Sequence, residues 1–204
     1  MRVLIDGKPV EALTAKQERA LRLSRTEAVV QGSVLAATEA TDAYIGQTKR
    51  LFVILGSIAI VLILGISLAG AISDPIDGWL TVPAGIVVAG ALALFLNLLL
   101  RHRIRAWNRA LGHHGEGMEP AGTEVGVDAE GLSLAGKVFA WPSLAIDQVE
   151  MTSYRAGTDT PETFHVIDRL SLAAATRVIV LDKAMMQNGP LLVDNAWRLM
   201  RAPS

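Results

Sequence analysis

The sequence contains no cysteine among its 204 residues, and this absence removes several kinds of chemistry at once. Without thiolates the chain can form no disulfide framework, thiolate zinc site, iron–sulfur cluster or cysteine nucleophile. Charged residues are also scarce, at 19% of the chain, and the net charge is only -1. Proteins that bind nucleic acid usually carry a broad positive surface that neutralises phosphates. We therefore expect no nucleic-acid partner.

Sequence motifs that mark an active site are missing as well. No glycine-rich loop joins a strand to a helix, so a phosphate cradle of the Walker or dinucleotide type is not expected. Ser143 lies in the context WPS, which is no nucleophile elbow, and a turn or cap role suits it better than a triad with His165. His113 and His114 are adjacent in a linker, where neighbouring side chains point to different sides. We therefore predict no catalytic residue, cofactor-binding residue or metal ligand, and no enzyme activity.

Hydrophobic residues make up 51% of the chain and are concentrated in two uncharged stretches, residues 51–73 and 80–100. At a rise of about 1.5 Å per residue, either stretch can cross a hydrocarbon core of about 30 Å as a helix. The six residues DPIDGW between them can only turn the chain around. Because neither stretch contains an ionisable side chain, a proton relay is not expected inside it. The pattern predicts a transmembrane hairpin over residues 51–100.

Basic residues flank both predicted spans and are missing from the turn between them. Lys49 and Arg50 precede the first span, and Arg101, Arg103 and Arg105 follow the second. Lys and Arg near span ends remain on the cytoplasmic side of a membrane. We therefore predict a multi-pass protein of the plasma (inner) membrane with both termini in the cytoplasm. These five residues are expected at the membrane interface, either binding anionic lipid or serving only as a cytoplasmic stop signal.

Small residues recur at helical spacing within the spans, as at Gly65 with Ala69 and at Gly85 with Ala89. Such positions allow close approach of two helices. One interpretation is a dimerisation face, and the other is packing between the two helices of a single hairpin. We favour packing within the hairpin.

The N-terminal segment, residues 1–50, is predicted to be cytoplasmic. Asp6-Gly7 is a turn signal between two short apolar runs and predicts a small β-hairpin. Residues 14–47 are mostly helix formers with apolar residues near heptad spacing, which predicts an amphipathic helix. This helix either runs straight into the first span, lies on the membrane with its basic residues facing anionic headgroups, or is solvated and packs on the C-terminal domain.

Beyond a basic stop and linker over residues 101–122, the pattern changes to short alternating apolar runs. We predict six strands within residues 123–182, followed by a helix within residues 183–201 that is either broken or initiated at Gly189-Pro190. Residues 123–204 therefore form an α+β or mainly β cytoplasmic domain, which we interpret as a small pleckstrin-homology-like barrel with a C-terminal helix. The predicted fold class is a membrane α-helical hairpin joined to this domain.

Five residues of that domain, together with the two spans, carry a resemblance to a known family. They are Gly131, then Trp141, Ser143 and Val149 within FAWPSLAIDQVEM, and Lys183 within RVIVLDKAM. Over about residues 50–185 the chain resembles the bacterial YcxB-like membrane proteins. The resemblance implies a pleckstrin-homology-like domain and structural roles for the five residues. It brings no established biochemical activity with it.

The sequence therefore favours a noncatalytic membrane protein over an enzyme. The first hypothesis is a two-pass protein that presents a pleckstrin-homology-like domain for binding a protein or a lipid headgroup. The alternative is a subunit of an oligomeric membrane assembly, such as a pore or a transporter accessory. Expected partners are membrane lipids together with an unidentified protein or a second copy of the chain.

Overall fold

The computed structural model describes residues 1–73, 80–157 and 161–201. Within these ranges the chain forms nine strands, four α-helices and a short 3-10 turn at Trp141–Ser143. The connecting turn of the hairpin, residues 74–79, lies outside the described residues, as do residues 158–160 of the polar stretch between two C-terminal strands. The elements in chain order are β1 (Arg2–Ile5), β2 (Lys8–Val10), α1 (Ala15–Arg19), β3 (Val30–Ser33), α2 (Ala37–Ser73), α3 (Thr81–Gly115), β4 (Glu124–Val127), β5 (Gly131–Leu134), β6 (Lys137–Ala140), β7 (Ala145–Ala156), β8 (Glu162–Ala173), β9 (Val178–Asp182) and α4 (Gly189–Arg201).

The chain divides into two compact units. The sheet unit combines Met1–Ala40 with His113–Ser204, and the helical unit is Thr41–Gly112. This division differs from the predicted boundaries at residues 50, 101 and 122, because the first forty residues fold together with the C-terminal part of the chain. Sequence pattern alone cannot show which distant segments pair with one another.

The helical unit consists of most of α2 and α3, which are long and apolar enough to cross a membrane. The two helices run antiparallel, because Gly56 lies against Leu96 near one end and Gly85 lies against Ser67 near the other. At Gly85 an added Cβ would come within 2.0 Å of the Ser67 hydroxyl oxygen. These contacts favour the interpretation that the small residues pack the two helices of one hairpin together.

Both helices are longer than the apolar stretches predicted from the sequence. The first begins at Ala37, and the second continues through Gly115. Of the basic stop and linker predicted over residues 101–122, the first fifteen residues are helical and belong to α3. The physical reason is that Arg, Ala and Leu are strong helix formers and no proline interrupts them.

The sheet unit contains two sheets packed around one core. The five-stranded sheet has the order β2-β1-β7-β8-β9, in which β1 and β7 are parallel and the other neighbours antiparallel. The four-stranded sheet is antiparallel with the order β3-β4-β5-β6. Helix α4 buries Leu192, Val193, Ala196 and Trp197 in this core. The largest fully buried side chains include Leu132, Ile167, Leu170, Leu172, Ile179 and Leu181.

The prediction of an amphipathic helix over residues 14–47 is wrong for residues 20–36, whereas residues 37–47 are helical as the start of α2. Only α1, five residues long, is helical at its start, with a capping box between Thr14 and Gln17. The chain then turns to strand β3 (Val30–Ser33) before α2 begins. Helix propensity is a weak preference, and backbone pairing with a neighbouring strand overrides it here. The small hairpin predicted around Asp6-Gly7 is confirmed by the antiparallel pairing of β1 and β2.

The pairing of β3 with β4 has the largest effect on the topology. These strands are antiparallel neighbours, with Ser33 opposite Glu124. The Val34 amide donates to the Thr123 carbonyl (2.9 Å), and the Gly122 amide donates to the Val34 carbonyl (2.8 Å). Helices α2 and α3 lie between these strands in the sequence. The helical hairpin is therefore an insertion between two adjacent strands of a single sheet.

Candidate functional site

Three charged residues form a row across the five-stranded sheet. Glu150 on β7 pairs with Arg169 on β8, and Arg169 pairs with Asp182 on β9. Directly opposed residues in an antiparallel sheet project from the same face, so the three side chains are neighbours. The register passes from Glu150–Arg169 to Met151–Ile167, and this irregularity places Asp168 beside the row as an extra residue. We call Glu150, Arg169 and Asp182 the charged row.

The last turn of α3, which belongs to the sheet unit, rests on the charged row. His113 Nε2 lies 2.9 Å from Glu150 Oε2, and His114 Nδ1 lies 2.9 Å from Asp182 Oδ2. Arg169 donates from Nη1 to the His113 carbonyl (2.5 Å) and from Nη2 to the Glu116 carbonyl. A guanidinium is favourable here because carbonyls at a helix C-terminus lack helical partners and carry partial negative charge. The row therefore fixes the end of the helix to three strands.

The charges of this arrangement largely balance one another. Asp182 is fully buried and Arg169 is 7% exposed. The hydrogen bond to Asp182 raises the pKa of His114, which favours an imidazolium next to that carboxylate. Burial raises the pKa of Glu150, but hydrogen bonds from His113 and Gln148 outweigh it and the net pKa is lowered. His114 lies about four helical turns beyond residue 100, where the predicted span ends.

A second set of polar side chains, beginning at Asp168, joins the charged row to helix α4. Burial raises the pKa of Asp168, partly offset by the Thr152 hydroxyl, which donates to Asp168 Oδ2 at 2.5 Å. The Lys183 amide donates to the Asp168 carbonyl, and its Nζ lies 2.9 Å from Asp194 Oδ1. Asp194 also accepts a hydrogen bond from the Ser24 amide (2.8 Å). These contacts tie β8, α4 and the N-terminal segment together.

The charged row, His113 and His114 together hold the end of α3 on the sheet through titratable groups, and we call these five residues the clamp. The prediction that His113 and His114 lie in an extended linker is wrong, since both are in the last turn of α3. Among the residues the structure describes, no group of three or more His, Asp or Glu side chains is arranged to hold a metal ion. His165, weighed from the sequence as a partner of Ser143, is hydrogen-bonded to Ser153 instead (3.2 Å).

The five predicted interface residues lie on the two long helices. Lys49 and Arg50 are exposed on α2, and Arg101, Arg103 and Arg105 are exposed on α3. Within the described ranges none of them forms an ion pair. A groove of about 330 Å³ runs between the helices, and Lys49 contributes to its lining. The lining is mostly apolar and consists of Lys49, Phe52, Val53, Gly56, Ser57, Ile60, Ala93, Leu96, Asn97 and Leu100.

Three of the motif residues shape the turns of the four-stranded sheet. Gly131 must be glycine because an added Cβ would lie 2.3 Å from the Phe139 carbonyl oxygen on the paired strand. The Trp141 indole donates to the Asp128 carbonyl (2.9 Å), and its ring packs partly buried against the core. Trp141 begins the 3-10 turn rather than ending a strand. The Ser143 hydroxyl bonds to the carbonyl three residues earlier (2.7 Å), as the turn interpretation predicts.

The other two motif residues lie in the core and at its edge. Val149 is completely buried on β7 and pairs with Val3 on β1 and Leu170 on β8. Lys183 directly follows β9 and forms the ion pair with Asp194 described above. The motif therefore consists of residues that hold the sheet unit together.

A stacked aromatic pair in the helical unit, in which Trp107 is buried and Tyr44 half-buried, was not predicted. Trp107 is only 7% exposed and stacks on Tyr44, with ring centroids 4.6 Å apart. Its indole nitrogen lies 3.1 Å from the Thr41 hydroxyl oxygen. The pair joins the start of α2 to the later part of α3, and only the antiparallel contact between the helices brings these residues together.

Comparisons with family models, with curated proteins and with solved structures give no match to this chain. The YcxB-like resemblance and the pleckstrin-homology-like barrel therefore stay predictions. The case for function rests on the geometry described above.

Proposed function

We propose that this chain is a noncatalytic, two-pass membrane protein whose sheet unit is a pleckstrin-homology-like module that binds a protein or a lipid headgroup. The observation that carries the proposal is the pairing of β3 with β4 on either side of the inserted helices. Both ends of the hairpin are covalently continuous with adjacent strands, so the sheet unit is attached through two connections instead of one flexible linker. Such an attachment suits a module that works at a membrane.

The order of elements supports the pleckstrin-homology-like part of the proposal. Strands β3 to β6 are antiparallel in one sheet, β7 to β9 are antiparallel in the other, and helix α4 follows and packs into the core. This is the arrangement expected of a small barrel closed by a C-terminal helix. The parallel pairing of β1 with β7 is an addition to it, which an all-antiparallel barrel does not predict.

The exposed apolar surface of the long helices supports location in a membrane. Val61, Ile66, Ile72 and Val87 are each about 70% exposed, and similar side chains surround them. A continuous apolar surface of this kind is unfavourable in water and favourable in lipid. The paired flanks of β3 and β4 and the basic residues beside both spans support placing both termini on the cytoplasmic side of the inner membrane.

The noncatalytic part is supported by how the polar side chains are used. Arg169 donates to a backbone carbonyl of α3, and His113 and His114 are hydrogen-bonded to carboxylates of the sheet. The Ser143 hydroxyl bonds within its own turn. Each of these groups has a structural partner in place of a substrate. The YcxB-like resemblance, which brings no known activity, agrees with this interpretation.

A photo-crosslinking experiment in intact membranes tests the proposal. A photoreactive residue replaces Val138, 58% exposed on the sheet unit, or Leu62, 59% exposed on α2, in the full chain. We expect crosslinks from position 138 to a recurrent foreign protein or to lipid, and crosslinks from position 62 to lipid. Crosslinks only between copies of this chain, from both positions, would reject the binding module and favour the oligomeric assembly.

The oligomeric alternative receives less support from the helices themselves. Gly56 and Gly85 are already occupied by contacts within the hairpin. At Gly65 and Gly90 an added Cβ would meet nothing within 4 Å, so these positions are open. Open small residues permit helix contact without specifying it. We keep the binding module as the proposed function.

A further inference from the structure

A basic pocket lies in the sheet unit where the N-terminal segment meets the start of β8. Helix α1, the residues that follow it and the beginning of β8 enclose a cavity of about 530 Å³, within the size range of small-molecule sites. The residues that line it are Lys16, Arg19, Ala20, Leu21, Arg22, Pro161, Glu162, Thr163 and Phe164. We call this cavity the basic pocket.

The lining of the pocket carries more positive than negative charge. Lys16, Arg19 and Arg22 are exposed, and none of the three forms an ion pair within the described residues. Arginines elsewhere do find carboxylates, as the ion pairs Arg25–Glu27, Arg177–Glu119 and Arg201–Glu18 show. Among the described residues of the lining Glu162 is the one acidic residue, so their formal charge is 3 − 1 = +2. A concave surface of one sign attracts and retains ions of the opposite sign.

The backbone that carries these cations is fixed in place. The His165 amide donates to the Ala20 carbonyl (2.9 Å), and the Arg22 amide donates to the His165 carbonyl (2.8 Å), so this segment is hydrogen-bonded to β8. The Arg22 guanidinium lies over the Phe164 ring, 5.7 Å from its centroid. The capping box of α1 holds the other two cations on an ordered turn. A pre-organised site of this kind loses little entropy on binding.

We propose that the basic pocket binds a phosphate-bearing anion, whose oxygens accept hydrogen bonds from Lys16, Arg19 and Arg22. Guanidinium groups match the geometry of phosphate oxygens, and charge-assisted hydrogen bonds are the strong ones. The inference rests on the proposed function, in which the sheet unit is a binding module, and it names the class of ligand. A phospholipid headgroup and a soluble phosphate compound both carry this chemistry.

Titration of the full chain in phosphatidylcholine nanodiscs with pyrophosphate, followed by calorimetry, tests the soluble arm. The pocket variant K16Q/R19Q/R22Q is expected to bind about tenfold more weakly than the wild type, or worse. The control R2Q/K8Q/K137Q changes the net charge equally at exposed residues outside the pocket. It should change the affinity by less than about twofold, because distant charges are screened by salt.

A gain-of-affinity variant protects the test from loss of folding. Glu162→Gln removes the acidic residue of the lining and leaves the three cations intact, so it should tighten pyrophosphate binding several-fold. Equal weakening in the pocket and control variants, with no gain in Glu162→Gln, would overturn the proposal.

Flotation with vesicles separates the two sources of the ligand. The same nanodiscs are mixed with vesicles of phosphatidylcholine alone or with added phosphatidylglycerol. Flotation that requires phosphatidylglycerol and is lost in the pocket variant assigns a lipid headgroup, and pyrophosphate binding without flotation assigns a soluble phosphate. Binding in neither arm overturns the pocket. If the crosslinks from position 138 persist in that case, the binding-module proposal stands without it.

Discussion

Arg169 connects more elements than any other residue of the clamp that we have described. It lies between two carboxylates of the charged row and donates to two carbonyls at the end of α3. It is buried, so these hydrogen bonds are protected from water. This guanidinium therefore holds the last turn of α3 against the sheet together with the contacts of His113 and His114.

Replacing this guanidinium should destabilise the sheet unit. Arg169→Met keeps an apolar stem but removes both donors and the cation between Glu150 and Asp182. We expect the free energy of unfolding to fall by roughly 1.5–3 kcal/mol. The control Arg177→Met breaks an exposed pair with Glu119 and should cost no more than about 1 kcal/mol. Denaturant unfolding of the detergent-solubilised chain measures both, and equal costs would contradict the assignment.

His114 should make stability depend on pH above about 6.5, the ordinary pKa of histidine. Its pKa is raised in the folded state, mainly by the hydrogen bond to Asp182, so the protonated form is preferred on folding. The stabilisation is fully present below the unfolded pKa of about 6.5 and is lost as pH rises through the folded pKa. Asp168 and Arg169 also face this imidazole. Both act on the same titration, with opposite effects.

The measurement is thermal unfolding of the full chain as a function of pH, from below about 6.5 upward. The wild type should lose stability over this range, and His114→Gln should lose less. The control His102→Gln changes an exposed histidine in the helical unit and should leave the pH dependence intact. An unchanged pH dependence in His114→Gln would disprove this role.

At the residue scale, the sequence predicts residues that act in local turns but does not predict the contacts of the clamp. Gly131 and Ser143 act through neighbours close in the chain or on a hairpin partner, which a short motif can reveal. Glu150, Arg169 and Asp182 become neighbours only through the register of three strands. In one sequence each is an ordinary charged residue in a strand, so no local pattern marks the row.

At the element scale, strand β3 links the segment before the helices to the segment after them. It is short, and Gly32 lets it approach the loop before α4 so closely that an added Cβ would lie 2.1 Å from the Gln187 carbonyl oxygen. The Gln187 amide in turn donates to the Ser33 carbonyl (2.9 Å). The free edge of β3 is thereby covered.

Gly32→Ala should therefore destabilise the sheet unit by roughly 1–3 kcal/mol, the usual cost of overpacking against groups that cannot move away. The matched control is Gly112→Ala on α3, where an added Cβ meets nothing within 4 Å. Because alanine favours helix over glycine, the control should be neutral or stabilising by up to about 1 kcal/mol. A neutral Gly32→Ala variant, assayed by thermal unfolding, would show that β3 does not pack as described.

The elements themselves were largely predictable where periodicity is strong. The six strands from β4 to β9 follow alternation and turn signals, and the structure confirms them. For the C-terminal helix the sequence left open a break or a start at Gly189-Pro190, and α4 starts there. The N-terminal segment was misjudged because its residues have helix propensity while its conformation is set by pairing with β4 and β8. Tertiary pairing of this kind leaves no periodic trace in a short strand.

At the scale of the whole molecule, the inserted hairpin predicts that the chain segments before and after the helices lie on the same side of the membrane. Since β3 and β4 belong to one sheet, the segments before and after the helices must share a compartment. Single cysteines at Thr26 and at Lys137, in a chain that otherwise has none, should be labelled by a membrane-impermeant maleimide only after the cytoplasmic face is exposed. Labelling of one position in intact cells and the other only after lysis would refute the shared compartment.

The most direct test of the account is a disulfide between the strands on either side of the helices. Ser33 and Glu124 are opposite one another in the β3–β4 pair, at a separation that suits a disulfide once both are cysteine. The control pair joins Ser33 to Val138 on β6, at the far edge of the same sheet, about 14 Å away by strand spacing. The account predicts that mild oxidation in membranes forms an intramolecular disulfide in Ser33→Cys/Glu124→Cys and none in the control. No intramolecular bond in the first pair, or bonds only between molecules, would contradict the insertion of the hairpin within one sheet.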